Sequence, residues 1–171
     1  MSNKIPTLIS EKQIQERIDE LAKKINKDYK DGVTVICILK GSIIFTADLV
    51  RKLTVPTYIE FMVVSSYEDT ESTGNIKVVK DLDSSIANKD VLIVEDIVDT
   101  GRTLKYLMEL LNSRHPRSLK ICTLLSKKAR RNCEIDVAYY GFDIEDEFVI
   151  GYGLDYNQEY RNLPYIGILN K

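Results

Sequence analysis

The chain reads as an α/β protein, a mainly parallel twisted sheet with helices on both faces. Three observations predict this. Apolar runs of strand length alternate with helix-period stretches through the middle of the chain, the pattern of repeated β-α-β units. Two of those runs, Val33 to Leu39 and Val91 to Val94, lack the polar alternation of a half-exposed strand and suit strands covered on both sides. The second passes at once into two acids, a short small-residue loop and a leucine-periodic helix, an order that belongs at the carboxyl edge of an open α/β sheet.

Taken in order, Ser10 to Ile25 is an amphipathic helix with Ile14, Ile18, Leu21, Ala22 and Ile25 on one face. Ser10 and Gln13 make a capping box at its start, and Ile9 with Ile14 a hydrophobic staple. Val33 to Leu39 is the first buried strand, followed by a helix from about Ile43 to Lys52 and a second strand from Tyr58 to Ser65. Glu68 to Gly74 is polar and ends in Thr-Gly, which predicts a surface loop. Ile76 to Val79 is a short strand and Val91 to Val94 the central one. A helix with Leu104, Leu107 and Leu111 on its apolar stripe leads to the strand Leu119 to Leu125. Val137 to Phe142, Phe148 to Tyr152 and Ile166 to Leu169 are the C-terminal strands. No internal repeat or low-complexity linker divides the chain, so residues 1–171 are expected to form a single domain.

Composition removes several classes of function. A net charge of −2 and a pI near 5.6 do not supply the basic face that nucleic-acid binding normally needs, so no nucleic-acid partner is expected. His115 is the only histidine, and Cys37, Cys122 and Cys133 form no Cys-x-x-Cys pair, which excludes a histidine-based triad or a zinc site. Cys37 and Cys122 fall inside apolar strand patterns and read as reduced core thiols. There is no signal-peptide core and no apolar run of membrane-spanning length. A cytoplasmic protein without a membrane partner is expected.

The stretch from Val91 to Thr103, VLIVEDIVDTGRT, carries the chemistry. Asp99, Thr100, Gly101, Arg102 and Thr103 form a loop at a helix N-terminus, where free backbone N–H groups and the helix dipole favour an anion. The hydroxyls of Thr100 and Thr103 add donors, Arg102 adds charge, and Gly101 lets the backbone come close to a phosphate. Glu95 and Asp96 would repel that phosphate and so need another task; ribose hydroxyls or hydrated Mg²⁺ suit them. The plainer reading is an acidic strand end followed by an Asp-capped helix.

This stretch resembles the diphosphate-sugar signature of the type I phosphoribosyltransferases: an apolar strand, two acids, then Asp-Thr-Gly-basic-Thr. Flanking blocks narrow the likeness to the hypoxanthine-guanine branch, bacterial type. Leu39-Lys40-Gly41-Ser42 is similar to its pyrophosphate loop, and Ser65-Ser66-Tyr67 with Ser72-Thr73-Gly74 to its mobile loop. Leu124-Leu125-Ser126-Lys127 and Phe148 to Tyr156 are similar to its purine pocket. The blocks lie in the family's order from Leu39 to Leu163. The resemblance implies the type I phosphoribosyltransferase fold with a small hood built from chain-end segments. It also implies assembly as a homodimer or homotetramer.

The implied reaction moves ribose 5-phosphate from 5-phosphoribosyl 1-pyrophosphate to a 6-oxopurine, with Mg²⁺ as cofactor. On this likeness Asp99 to Thr103 hold the 5′-phosphate, and Lys40, Gly41 and Arg161 the pyrophosphate. The family holds the peptide between Lys40 and Gly41 in a cis form, which would aim a backbone N–H at an anion. Glu95 and Asp96 hold the ribose. Asp155 is the candidate direct metal ligand, with Glu95 and Asp96 acting through water. Asp99 takes or shares the N7 proton of the base, general-base help typically worth ~10²–10⁴-fold. Lys127 donates to the 6-oxo group, Phe148 stacks on the ring, and the backbone of Val149 reads the Watson–Crick edge, with Asp155 at the same pocket. Of the basic run Lys127, Lys128, Arg130 and Arg131, most is expected to be solvated surface, with Arg131 reaching inward. Ser66 and Tyr67 belong to a lid, Ser66 to Gly74, that closes over the substrates.

The sequence departs from the family in places. Arg102 stands where mammalian relatives carry lysine, and Glu147 where they carry a basic residue, which weakens any transfer of their guanine preference. Glu68-Asp69 follows Tyr67 where many bacterial relatives have glycine, which bears on lid mobility. Hypoxanthine and guanine are not ranked by the sequence. Rival readings are a xanthine-guanine-type enzyme, disfavoured by Lys127 and the block Phe148 to Tyr156, and an RNA-binding regulator on the same fold, disfavoured by the acidic pI. A phospho-acceptor receiver domain would leave Lys40-Gly41 unexplained.

Overall fold

The structure is a computed structural model that describes residues 5–69 and 72–170, apart from the side chains of 67–69 and 72–75. Nine strands and three helices follow in order among the described residues: β1 (Thr7–Ile9), α1 (Glu11–Asp28), β2 (Val33–Leu39), α2 (Ile43–Val50), β3 (Thr57–Asp69), β4 (Ser72–Lys80), β5 (Asp90–Val98), α3 (Arg102–Asn112), β6 (Ser118–Ser126), β7 (Tyr139–Asp143), β8 (Val149–Ile150) and β9 (Ile166–Ile168). A 3₁₀ turn, Lys128–Arg130, follows β6. Six strands form one sheet in the order β4-β3-β2-β5-β6-β7, parallel except for β4 at its edge. The chain ends contribute a second, three-stranded antiparallel sheet, β1-β9-β8.

Alternate residues of the buried strands supply two cores. Val35, Leu92 and Val94 meet Ile14, Ile18, Leu21 and Ile25 of α1 and Phe45 and Leu49 of α2. Ile36, Ile93 and Ile121 meet Leu104, Leu107 and Leu111 of α3 on the other face. Burying each such side chain stabilises the fold by about 1.5–3 kcal/mol, which is why the long apolar runs fold as strands covered on both sides. The start of α1 is fixed locally: Ser10 Oγ accepts from Gln13 N at 3.2 Å while Gln13 Oε1 accepts from Ser10 N at 2.9 Å. Such a cap contributes about 1 kcal/mol. Ile9 and Ile14 are both buried in the first core, as the staple requires.

Three expectations are corrected. Most of the polar stretch 68–74 is strand rather than loop: β3 runs on to Asp69 and β4 begins at Ser72, with Tyr67 paired to Asn75 and Asp69 to Ser72. Thr70 and Glu71 lie outside the described residues. A short polar stretch such as 68–74 carries no apolar alternation, so its pattern resembles a loop's. The C-terminal strands are shorter than the apolar runs, and Gly151, φ +95°, ends β8 in a turn bridged to Leu154. β1 was not predicted at all, because three residues are too few to show a period. Among the described residues no helix is long and apolar enough to cross a membrane.

Candidate active site

The site is assembled where β2, β5 and β6 leave the sheet. β5 and β6 run parallel with Val98 opposite Ser126, so the next residue of each strand, Asp99 and Lys127, emerges beside the other. Lys127 N donates to Val98 O at 2.9 Å and fixes that juxtaposition. Past Asp99 the chain turns through Gly101 at φ +87°, a left-handed conformation that only glycine adopts at little cost. A Cβ at Gly101 would lie 2.8 Å from Ile135 Cδ1 and 3.1 Å from Cys133 Sγ, so the loop has no space for a side chain there. Asn132 N and Cys133 Sγ brace the loop from behind by donating to Thr100 O, at 3.2 and 3.5 Å.

α3 starts at this turn. Arg102 N donates to Thr100 Oγ1 at 3.4 Å and Lys105 N to Gly101 O at 2.9 Å. The N–H groups of Thr103 and Leu104 have no carbonyl partner among the described residues, as expected of a first helical turn. A cavity of about 190 Å³ lies over them, lined by Glu95, Asp96, Asp99, Thr100, Gly101 and Thr103 among others. Arg102 is not in its wall. With the Asn132 amide set by its hydrogen bonds, Oδ1 accepts from Arg102 Nε and Nη2 at 3.2 Å, and the guanidinium rests at the rim. The donors gathered around the cavity are therefore backbone N–H groups and threonine hydroxyls.

Glu95 and Asp96 face the same cavity from the end of β5. Asp96 Oδ1 accepts from Ile97 N at 2.7 Å, and Glu95 Oε1 accepts from Asp96 N at 3.1 Å. Burial raises the Glu95 carboxyl well above its ordinary value and the adjacent Asp96 charge adds to the effect. Burial raises Asp96 too, opposed by its hydrogen bonds and by the charge of Arg161. Two enclosed carboxylates side by side favour a cation or hydroxyl donors.

Gly41, after β2, presses on this pair: a Cβ there would fall 1.8 Å from Asp96 Oδ2. The cis peptide lies one bond earlier than expected, at Leu39–Lys40 rather than Lys40–Gly41. Gly153, at φ +100°, packs in turn on Gly41, with room for no Cβ within 2.1 Å of Gly41 O. Arg161 Nη1 donates to Gly153 O at 2.7 Å. Lys40 Nζ and Arg161 Nη2 both donate to Gln158 Oε1, at 3.3 and 3.4 Å, so Lys40, Gly41 and Arg161 are brought together.

Asp155, the candidate direct metal ligand, is engaged by its neighbours. Asp155 Oδ1 pairs with Arg161 Nη2 at 3.1 Å and its Oδ2 accepts from Gln158 N at 2.9 Å. Among the described residues no three acidic, cysteine or histidine side chains form a preformed metal cluster. Arg161 is thus paired with Asp155 while its charge also acts on Asp96. The remaining donors still fit Mg²⁺, which keeps several waters and takes one or two carboxylates together with substrate phosphates. The Glu95–Asp96 pair, beside cations suited to pyrophosphate, offers that set.

On the other side of Asp99, Lys127 is buried, with 8% of its surface exposed, and its Nζ lies 3.6 Å from Asp146 Oδ1. Arg130 Nε lies 2.7 Å from Asp99 Oδ1, and Arg130 Nη1 3.3 Å from Asp146 Oδ2. Arg131 turns inward, its Nη2 donating to Ser126 Oγ at 2.8 Å. Phe148 is part-exposed and packs edge-on to Tyr156, with ring centroids 5.7 Å apart. Val149 is buried in β8 opposite Ile168. Ser66 is exposed on β3 opposite Ile76; the side chain of Tyr67 lies outside the described part. Sequence reasoning missed Arg130, Asp146 and Gln158 as members of the site. Arg130 stood out only as part of a basic run, and nothing local marks the other two.

A family model described as a phosphoribosyl transferase domain matches residues 9–157. The chain is 50% identical over 171 residues to a hypoxanthine-guanine phosphoribosyltransferase of Mycobacterium avium, covering 95% of this chain and 84% of that one. It is 47% identical to the hypoxanthine phosphoribosyltransferase of Salmonella typhimurium over 98% of this chain and 96% of the relative. A crystal structure of a hypoxanthine-guanine phosphoribosyltransferase from Bacillus anthracis matches with a TM-score of 0.94 at 45% identity, covering 98% of this chain and all of that one.

Proposed function

The chain belongs to the phosphoribosyltransferase family, and from that premise we propose that it is a purine salvage enzyme. It transfers the 5-phosphoribosyl group of 5-phosphoribosyl 1-pyrophosphate to hypoxanthine, and to guanine, giving IMP or GMP and pyrophosphate. The bond from the ribose C1 to the pyrophosphate oxygen breaks, a bond from C1 to purine N9 forms, and the proton on N7 passes to Asp99. The observation that carries this reading is the register of β5 and β6, which sets a carboxylate and a buried lysine at adjacent strand ends beside a helix N-terminus. A purine spanning the two would meet Asp99 at its imidazole edge and Lys127 at its 6-oxo group.

The 5′-phosphate is assigned to the loop Asp99 to Thr103, where the first-turn N–H groups and the threonine hydroxyls are the donors. Pyrophosphate is assigned to Lys40, Gly41 and Arg161, and the ribose hydroxyls to Glu95 and Asp96. Bound Mg²⁺ would neutralise the departing pyrophosphate, with Asp155 as the direct protein ligand and Glu95 and Asp96 acting through water. Charge stabilisation and positioning are then the main sources of rate. Phe148 offers a ring face, and Val149 a backbone edge, from the chain-end sheet, which takes the part of the hood. The β3–β4 hairpin with Ser66 and Tyr67 is assigned the part of the lid. A homo-oligomer in the cytoplasm fits the family and the three free cysteines.

The relatives' names favour neither a xanthine-guanine enzyme nor an RNA-binding regulator. Turnover with 5-phosphoribosyl 1-pyrophosphate, Mg²⁺ and each of hypoxanthine, guanine, xanthine and adenine tests the reading. Product should form with the first two. No turnover with either would refute it.

A further inference from the structure

The 3₁₀ turn after β6 carries a function that the basic run does not reveal. It begins just past Lys127 and doubles back, with Arg130 N donating to Lys127 O at 3.2 Å, so Arg130 is directed toward the end of β5. There its Nε meets a carboxylate oxygen of Asp99. Asp99 Oδ1 is shielded from solvent and lies 2.7 Å from Arg130 Nε, in an ion pair whose N–H is not aligned for a hydrogen bond. The Asp99 side chain as a whole is 45% exposed and lines the cavity, so the oxygen open to a ligand is Oδ2. The far side of the same guanidinium meets Asp146, whose Oδ1 lies 3.6 Å from Lys127 Nζ. The four charges alternate in sign, Asp99, Arg130, Asp146, Lys127, and run from the imidazole edge of the proposed purine site to its 6-oxo edge.

We propose that Arg130 is a positioning residue for Asp99, fastened by Asp146: it holds Oδ1 so that Oδ2 faces the N7 proton. Asp146 at the same time tethers Lys127 through its charge, so the proton acceptor and the 6-oxo donor are set at one spacing by a shared counter-ion. A carboxylate free to rotate would present its lone pairs to N7–H for a fraction of the time. One with an oxygen held by a fixed cation keeps the other in place, the logic by which a supporting side chain orients a catalytic one. Arg130 and Asp99 are each near half-exposed, so the pair adds little to stability and its effect belongs to geometry.

This inference rests on the functional reading above and on Asp99 as the proton acceptor. Its test is a double-mutant cycle in kcat for IMP formation, with the chemical step followed in single turnovers and folding checked by thermal melting. Arg130→Gln should lower the single-turnover rate by ~10-fold or more, with KM for 5-phosphoribosyl 1-pyrophosphate within about twofold. Arg130→Lys, which keeps a cation but not its fork, should recover part of the loss. On an Asp99→Asn background, where no acceptor remains to be aimed, Arg130→Gln should change the rate by less than about twofold. Wild-type rates for Arg130→Gln beside an impaired Asp99→Asn overturn the positioning role and leave the functional reading standing. An equal loss on both backgrounds overturns it too, because the arginine would then act without the carboxylate. Unimpaired Asp99→Asn, or a wild-type protein inert toward every purine, removes the reading on which the inference rests.

Discussion

Gly41→Ala would put a methyl group where the Asp96 carboxylate now lies. The new Cβ would stand 1.8 Å from Oδ2 and 2.8 Å from Cγ, whereas real Cβ atoms essentially never approach a neighbour within 3.0 Å. Asp96 or the loop must therefore move by more than an ångström. Asp96 cannot swing freely, because its Oδ1 accepts from Ile97 N at 2.7 Å; losing that charge-assisted bond costs about 1.5–3 kcal/mol. The protein should stay folded at 25 °C, with its melting temperature lowered by several degrees. Activity should suffer more. A displacement of ~1 Å in a group that positions substrate costs ~10²-fold, equivalent to ~2.7 kcal/mol of barrier. The assay is steady-state IMP formation over a range of 5-phosphoribosyl 1-pyrophosphate concentrations at saturating Mg²⁺, with kcat/KM as the readout. The same substitution on an Asp96→Ala background, where the methyl has room, should cost little further. A Gly41→Ala enzyme with wild-type kcat/KM, or one losing equally on both backgrounds, would refute the packing argument.

Lys127→Gln retains a donor but loses charge and reach, so the ratio of kcat/KM for hypoxanthine over adenine should fall; an unchanged ratio means that Lys127 does not read the 6-oxo group. Asp81 is bound by both Arg114 terminal nitrogens at 2.7 Å, and those hydrogen bonds, ahead of the opposing effect of burial, hold its carboxyl below the usual value of 3.8. A depressed acid stabilises the fold above its unfolded pKa and stops doing so as pH falls through the folded one. Arg114→Ala should therefore melt lower than wild type by ~2–4 °C at pH 7, discounted for exposure to at most ~1 kcal/mol, and the gap should close below about pH 3.8. Amide exchange across residues 66–74 should slow on adding Mg²⁺, 5-phosphoribosyl 1-pyrophosphate and an unreactive purine analogue; identical exchange in both states would show that this hairpin is no cover.

Local signals were legible in the sequence to the extent that they were local. The capping box of Ser10 and Gln13 and the stripe Leu104, Leu107, Leu111 each depend on residues a few positions apart, and each has its predicted geometry, whereas the central strand, read as ending at Val94, runs on through both acids to Val98. The outer ends of β3 and β4 read as a loop because the polar stretch 68–74 has no apolar period to detect. The place of Arg102 depends on Asn132, thirty positions away, and the charge chain through Arg130 depends on a turn returning to a different strand. Pairings of that kind are set by the register of β5 on β6, which periodicity alone does not specify.

The sheet made from the chain ends has a consequence for how the protein comes into being. β1 is made within the first ten residues, yet its partner β9 begins at Ile166, and Ile168 N closes the pair on Pro6 O at 3.0 Å. At ~5–20 residues per second, a ribosome needs roughly 8–30 s to pass from one to the other. The six-stranded sheet has all its strands by Asp143 and can collapse well before then. β1 meanwhile remains an unpaired edge, and the wall that carries Phe148 and Val149 has nothing to pair with until β9 emerges. A nascent chain stalled short of Ile166 should thus have a finished loop from Asp99 to Thr103 and an unfinished wall at Phe148 and Val149. On the roles proposed above, it could hold the sugar phosphate before it could choose a base.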